Sequence, residues 1–187
     1  MDSYRWTRAE IDLDALRHNL EQFRKALDPE IGLMAVVKAN AYGHGAVKVA
    51  EEAVRFGVRY LAAAFLDEAL ELRHHGIDAP ILVLGYTPPA GIEAAREYDI
   101  TLAVFDDESL EAAASAAPGA KPLRVHVKVD TGMGRLGLAD EAEAIRYIEK
   151  ALQTPGVEVE GIFTHYACAD SRDKAHVTEQ YRRFALI

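Results

Sequence analysis

From residue 30 onward, short unbroken apolar runs alternate with stretches whose apolar positions recur every three or four residues. The first pattern predicts buried strands and the second amphipathic helices. Strands are expected at 33–38, 58–65, 81–84, 101–105, 123–129 and 157–163. Between them, a helix over 45–56 is stopped by Gly57, and one capped by Asp67 runs to His75 and ends at Gly76. A third enters at Pro88-Pro89. An alanine-rich helix capped by Asp106 or Asp107 ends before Pro118-Gly119, another covers 140–153, and a last one reaches the terminus. Residues 1–30 differ. Positions 6–11 alternate like a short strand with no obvious partner. Asp12 or Asp14 then caps a helix with Leu13, Leu16, Leu20, Phe23 and Leu27 on one side.

Six consecutive βα units, with strand starts 20 to 34 residues apart, specify an α/β protein with a parallel sheet. A closed (β/α)8 TIM-type barrel needs eight units and about 250 residues, so about six units make an incomplete portion. The competing architecture is an open doubly wound sheet, and no GxGxxG follows the first strand to favour its dinucleotide-binding version. The expected organisation is a lead-in strand and helix over 1–30 and a partial barrel over 31–187.

Composition narrows the function classes. The 187 residues are 50% apolar with a formal charge of -9, and no basic stripe is present to recognise nucleic acid. No apolar run approaches the ~18 residues of a membrane span, and no signal-peptide pattern opens the chain. Cys168 is the single cysteine, which rules out an intrachain disulfide and suits a reducing cytoplasm. The histidines make no HxxxH pair and join no cysteine cluster, so no metal site is expected.

Ligands of parallel βα sheets bind at the carboxyl ends of the strands. Three chemistry-bearing clusters fall there. Lys38 ends the first strand, ahead of Ala39-Asn-Ala-Tyr42-Gly43-His-Gly45. Lysine is the side chain that joins pyridoxal phosphate (PLP) through its amine; the alternative is a snorkelling lysine before a glycine turn. Lys128 and Asp130 end the fifth strand, before Thr131-Gly-Met-Gly-Arg135. His165 follows the sixth. Alternation turns Val125, Val127 and Val129 toward the helices and His126, Lys128 and Asp130 inward. An inward lysine tends to lose its proton; once neutral it can take up carbon dioxide as a carbamate and pair with Arg135. A plain ion pair with Asp130 or a glutamate is the alternative.

Four stretches, 9–19, 35–45, 126–137 and 161–165, carry a family resemblance that extends over essentially the whole chain. It resembles the amino-terminal barrel portion of the fold-type III PLP enzymes, the bacterial alanine racemases. The resemblance implies a PLP-dependent isomerase that converts L-alanine to D-alanine for the cell wall, working in the cytoplasm as a homodimer. It implies that Lys38 carries PLP and acts as one of two catalytic bases. Tyr42 resembles the tyrosine that binds the cofactor phosphate. Arg135 resembles the arginine that meets the cofactor's phenolic oxygen and the substrate carboxylate. Lys128 matches a position often carbamylated, and His165 a histidine beneath the cofactor ring.

Members of that family run to roughly twice this length. By the resemblance, strands seven and eight, the ring-nitrogen arginine, the second base and a carboxyl-terminal β domain are expected beyond residue 187. That β domain is also where the family's first short strand pairs, which accounts for the lone pattern at 6–11. The alternatives to a racemase are a non-enzymatic PLP-binding barrel of the cofactor-homeostasis type and an inert fragment without cofactor.

Overall fold

The computed structural model describes residues 6–115 and 119–187. Asp12 caps α1 (Leu13–Ala26), its carboxylate accepting the Asp14 and Ala15 amides. Six βα units follow. They are β1 (Met34–Val36) with α2 (Ala46–Phe56), β2 (Tyr60–Ala63) with α3 (Leu66–His74), and β3 (Ile81–Val83) with α4 (Ile92–Glu97). Next come β4 (Thr101–Val104) with α5 (Asp107–Ala114), β5 (Leu123–Lys128) with α6 (Glu141–Gln153), and β6 (Val157–Phe163) with α7 (Ala175–Phe184). All neighbouring strands are parallel and lie in sequence order β1 to β6. The expected α/β fold, a partial TIM-type barrel, is the one observed.

The outer face of the sheet carries the core. Leu61, Ile81, Leu102, Val125 and Val127 are essentially fully buried against Ala50, Ala69, Ala95, Ala113 and Ala144 of the helices. The alanines let each helix lie close to the strands, and branched residues on the strands fill the space between. The inner face is different in kind. The Tyr60 hydroxyl on β2 donates to Glu160 on β6 at 2.6 Å, and Thr101 on β4 donates to the same carboxylate oxygen at 3.1 Å. His126 packs between the rings of Tyr60 and Phe163. Side chains from strands four places apart meet only because the sheet is strongly curved.

Several expectations are corrected. Residues 6–12 form no strand, and Trp6 is fully exposed; an alternating pattern becomes a strand only beside a partner edge. Asp67 does not cap α3, which begins one residue earlier, so Asp67 lies inside the first turn. The cap position is Phe65, and Glu68 supplies the acceptor. The last helix stops at Phe184. The apolar side of α1 is only partly covered, with Phe23 64% exposed. α1 is instead anchored on α2 by Glu52, a buried carboxylate that accepts Arg17 Nε at 2.7 Å and also contacts Arg55.

Candidate active site

The first strand ends at Val36, so Lys38 stands two residues beyond it rather than within it. Val37 N–H still donates to Ala62 O at 2.8 Å. The chain then enters a left-handed turn over Lys38–Tyr42. Ala39, Asn40, Ala41 and Tyr42 have φ of 50°, 54°, 51° and 56°. Each non-glycine residue in that region costs about 1–2 kcal/mol, so four in a row need external support. Ala41 N–H donates to Val37 O at 2.8 Å, and Gly45 N–H to Asn40 O at 3.0 Å. The Asn40 side chain accepts the Ala46 amide at 2.7 Å, opening α2. Glu68 on α3 accepts the Ala39 amide at 2.7 Å. Lys38 is half-buried at the rim. Tyr42 is 61% exposed, on a cleft of ≈ 440 Å³ shared with Ile11, Asp12, Leu16 and Asn19.

The second cluster is a loop folded on its own carboxylate. Asp130 accepts the amides of Gly132 at 2.9 Å, Met133 at 2.7 Å and Arg135 at 2.8 Å. Burial pushes this carboxyl up, but the backbone donors outweigh burial and hold it at about 2. The loop closes through Asp130 N–H to Leu138 O at 2.9 Å and Leu138 N–H to Lys128 O at 3.1 Å. Gly137 is required at that crossing. Its φ is 115°, and a Cβ there would lie 2.9 Å from Asp130 N and Val129 C. Arg135 is presented, exposed, at the tip.

Lys128 is buried at 5% exposure. Its ammonium lies 4.8 Å from the Phe163 ring centroid and, among the described residues, reaches only Val129 O, at 3.4 Å. Asp130 gives both oxygens to backbone amides, so the direct Lys128–Asp130 pair is replaced by a longer-range attraction. Burial lowers the Lys128 pKa, Asp130 opposes that, and Arg135 adds to it.

The third cluster follows β6. Thr164 and Thr131 share a hydroxyl hydrogen bond of 2.8 Å, tying the His165 loop to the Arg135 loop. Gln180 of α7, fully buried, donates to His165 O at 2.9 Å and accepts the Ala167 amide at 3.0 Å. Arg183 donates to Thr131 O at 2.9 Å and Ala139 O at 2.8 Å. The His165 imidazole is held below its ordinary pKa, first by desolvation and then by the positive charges of Arg135, Lys128 and Lys38. Lys38, Lys128, Arg135 and His165 all stand at or beyond the carboxyl ends of the parallel strands β1, β5 and β6. The exposed Tyr42 stands beside Lys38 on the same turn.

Sequence reasoning missed Glu68, Asn40 and Gln180. Only Glu68 left a signal, a glutamate at the third helical position where capping carboxylates sit. Asn40 and Gln180 act through contacts that local pattern does not encode.

The family model for the alanine racemase N-terminal domain matches residues 11–187. The chain belongs to that family. It is 50% identical over 186 residues to alanine racemase 2 of Oceanobacillus iheyensis, covering 99% of this chain and 47% of the relative. The crystal structure of the Bacillus anthracis alanine racemase with bound L-Ala-P superposes with a TM-score of 0.92 at 40% identity, over 99% of this chain and 48% of that one. A histidine racemase from Leuconostoc mesenteroides has a TM-score of 0.85 at 34% identity, over 92% of this chain and 46% of its own. The chain spans about half the length of the curated relatives it matches. Both solved relatives share the family barrel while differing in the amino acid that they are named for.

Proposed function

We propose that this chain supplies the cofactor-binding part of a cytoplasmic, PLP-dependent racemase of alanine, working as a homodimer. The observation that carries the reading is that Lys38, Lys128, Arg135 and His165 all stand at the carboxyl ends of parallel strands, with the Thr131–Thr164 hydrogen bond joining the Arg135 and His165 loops. The donor set fits the cofactor: an amine for its aldehyde, a guanidinium, an exposed tyrosine hydroxyl, and an excess of positive charge for a phosphate and a carboxylate. When bound, PLP supplies an electron sink for charge developing at the substrate α-carbon.

The residues of this chain do the rest. Lys38 would hold the cofactor through its amine, and its free amine is the base placed to take a proton from the α-carbon. Tyr42 donates its hydroxyl to the phosphate. Arg135 binds the substrate carboxylate and fixes which face Lys38 reaches. His165, whose charged form is disfavoured by burial and by three nearby cations, would hydrogen-bond at the cofactor site without adding charge. Lys128 has a lowered pKa and one weak acceptor. Its neutral amine adds to carbon dioxide, releases a proton, and gives a carbamate that steadies Arg135. Delivery of a proton to the opposite face is assigned to a tyrosine of a second subunit.

The test is borohydride reduction of the PLP-treated full chain with peptide mapping, beside oxidase-coupled detection of D-alanine. A pyridoxyl group on Lys38, and loss of both label and racemisation in Lys38→Ala, are expected. Undiminished turnover in Lys38→Ala overturns the mechanism. Label without racemisation of any amino acid favours a PLP-binding barrel instead. The likeness to a histidine racemase makes a substrate panel that includes histidine part of the assay.

A further inference from the structure

Glu68 stands in the first turn of α3, and its two carboxylate oxygens face different loops. Oε2 accepts the Ala64 amide at 2.6 Å and the Phe65 amide at 3.3 Å, which caps α3. Oε1 accepts the Ala39 amide at 2.7 Å, across 29 residues of sequence. Ala39 directly follows Lys38 and opens the run of four non-glycine residues at positive φ. A backbone so far from its preferred region persists only when its surroundings over-determine it. The Asn40 bond to Ala46 holds the far side of the turn; Glu68 holds the side that carries the lysine.

We propose that Glu68 is a positioning residue that keeps the Lys38 turn left-handed and so fixes where the Lys38 amine points. The proposal deepens the cofactor reading above and rests on it for the role of Lys38. The chemistry makes a specific demand. Both oxygens must accept at once, and among side chains only a carboxylate offers two separate acceptor oxygens. In Glu68→Gln the amide nitrogen meets an N–H on one side, so the helix cap and the turn cannot both be satisfied.

The test compares wild type, Glu68→Gln, and the double variant Phe65→Ser with Glu68→Gln in the full chain. Ser at the cap position restores an acceptor for the start of α3 without reaching Ala39. Hydrogen exchange is read separately over 38–45 and over α3, without cofactor, and pyridoxyl labelling of Lys38 is timed with it. The expected result is exchange over 38–45 raised about tenfold in both variants, the size of one charge-assisted hydrogen bond. Labelling of Lys38 slows severalfold, while protection of α3 recovers in the double variant. Exchange over 38–45 that is unchanged, or that recovers with the cap, overturns the proposal. A wild type without label on Lys38 overturns the cofactor reading instead, and the exchange arm still judges Glu68.

Discussion

The Lys38 turn and the Arg135 loop solve one problem in opposite ways. Each must hold a cation at the end of a strand. The Arg135 loop, residues 130–138, takes up its unusual backbone angles at Gly132, Gly134 and Gly137 and carries its own organiser in Asp130. The Lys38 turn puts alanine, asparagine and tyrosine at positive φ and borrows support from α2 and α3. One loop is organised from within by Asp130 and takes its positive φ angles at glycines, with Arg183 and Thr164 tying it to its neighbours. The other is strained, and its shape depends on the next βα unit being in place.

Substitutions of opposite sign sharpen the contrast. Gly137→Ala should cost about 3 kcal/mol or more in thermal unfolding, because the added methyl meets backbone on a strand end that cannot retreat. Asp130→Asn should cost about 2 kcal/mol, since one oxygen cannot serve all of the amides that two now serve. It should also change the acid response. The Asp130 carboxyl sits at about 2 in the folded chain against an ordinary 3.8, so as pH falls the unfolded chain takes up a proton first. This contribution is complete above about pH 4 and lost as the pH falls toward 2. A pH series of urea midpoints should show that slope in wild type and a shallower one in Asp130→Asn. An equal slope removes Asp130 as the organiser. The smallest effect is expected at Ala39→Gly. Relief of the left-handed backbone should slightly exceed the entropy cost of glycine, giving a gain of a few tenths to about 1 kcal/mol. A loss there means that the turn is not strained in the way its angles imply.

The same contrast explains what the sequence made legible. The six strands and their helices follow from apolar period and turn residues; of the two cap candidates Asp106 and Asp107 the structure uses Asp106, and Asp140, read as the first helical residue, is the cap of α6. The inward direction of Lys128 followed from alternation alone. The left-handed turn was not legible, because in Lys-Ala-Asn-Ala-Tyr only Asn40 tolerates that region readily, and then as a single residue; Glu68 and Asn40 brace the rest. Nor could alternation show that Asp130 spends its charge on amides rather than on Lys128, since that depends on how residues 132–135 double back. The alternating pattern at 6–11 is no strand among the described residues, as its lack of a partner within this chain implies.

The Tyr60–Glu160 hydrogen bond works as a bowstring across an arc of strands. Laid flat at about 4.8 Å per strand, the tips of β1 and β6 would stand roughly 24 Å apart, beyond the reach of a screened charge. Lys38, just past β1, and His165, just past β6, stand at the two ends of that arc. A phenol and a carboxylate that touch neither group thus draw together the two sides of the sheet that carry them.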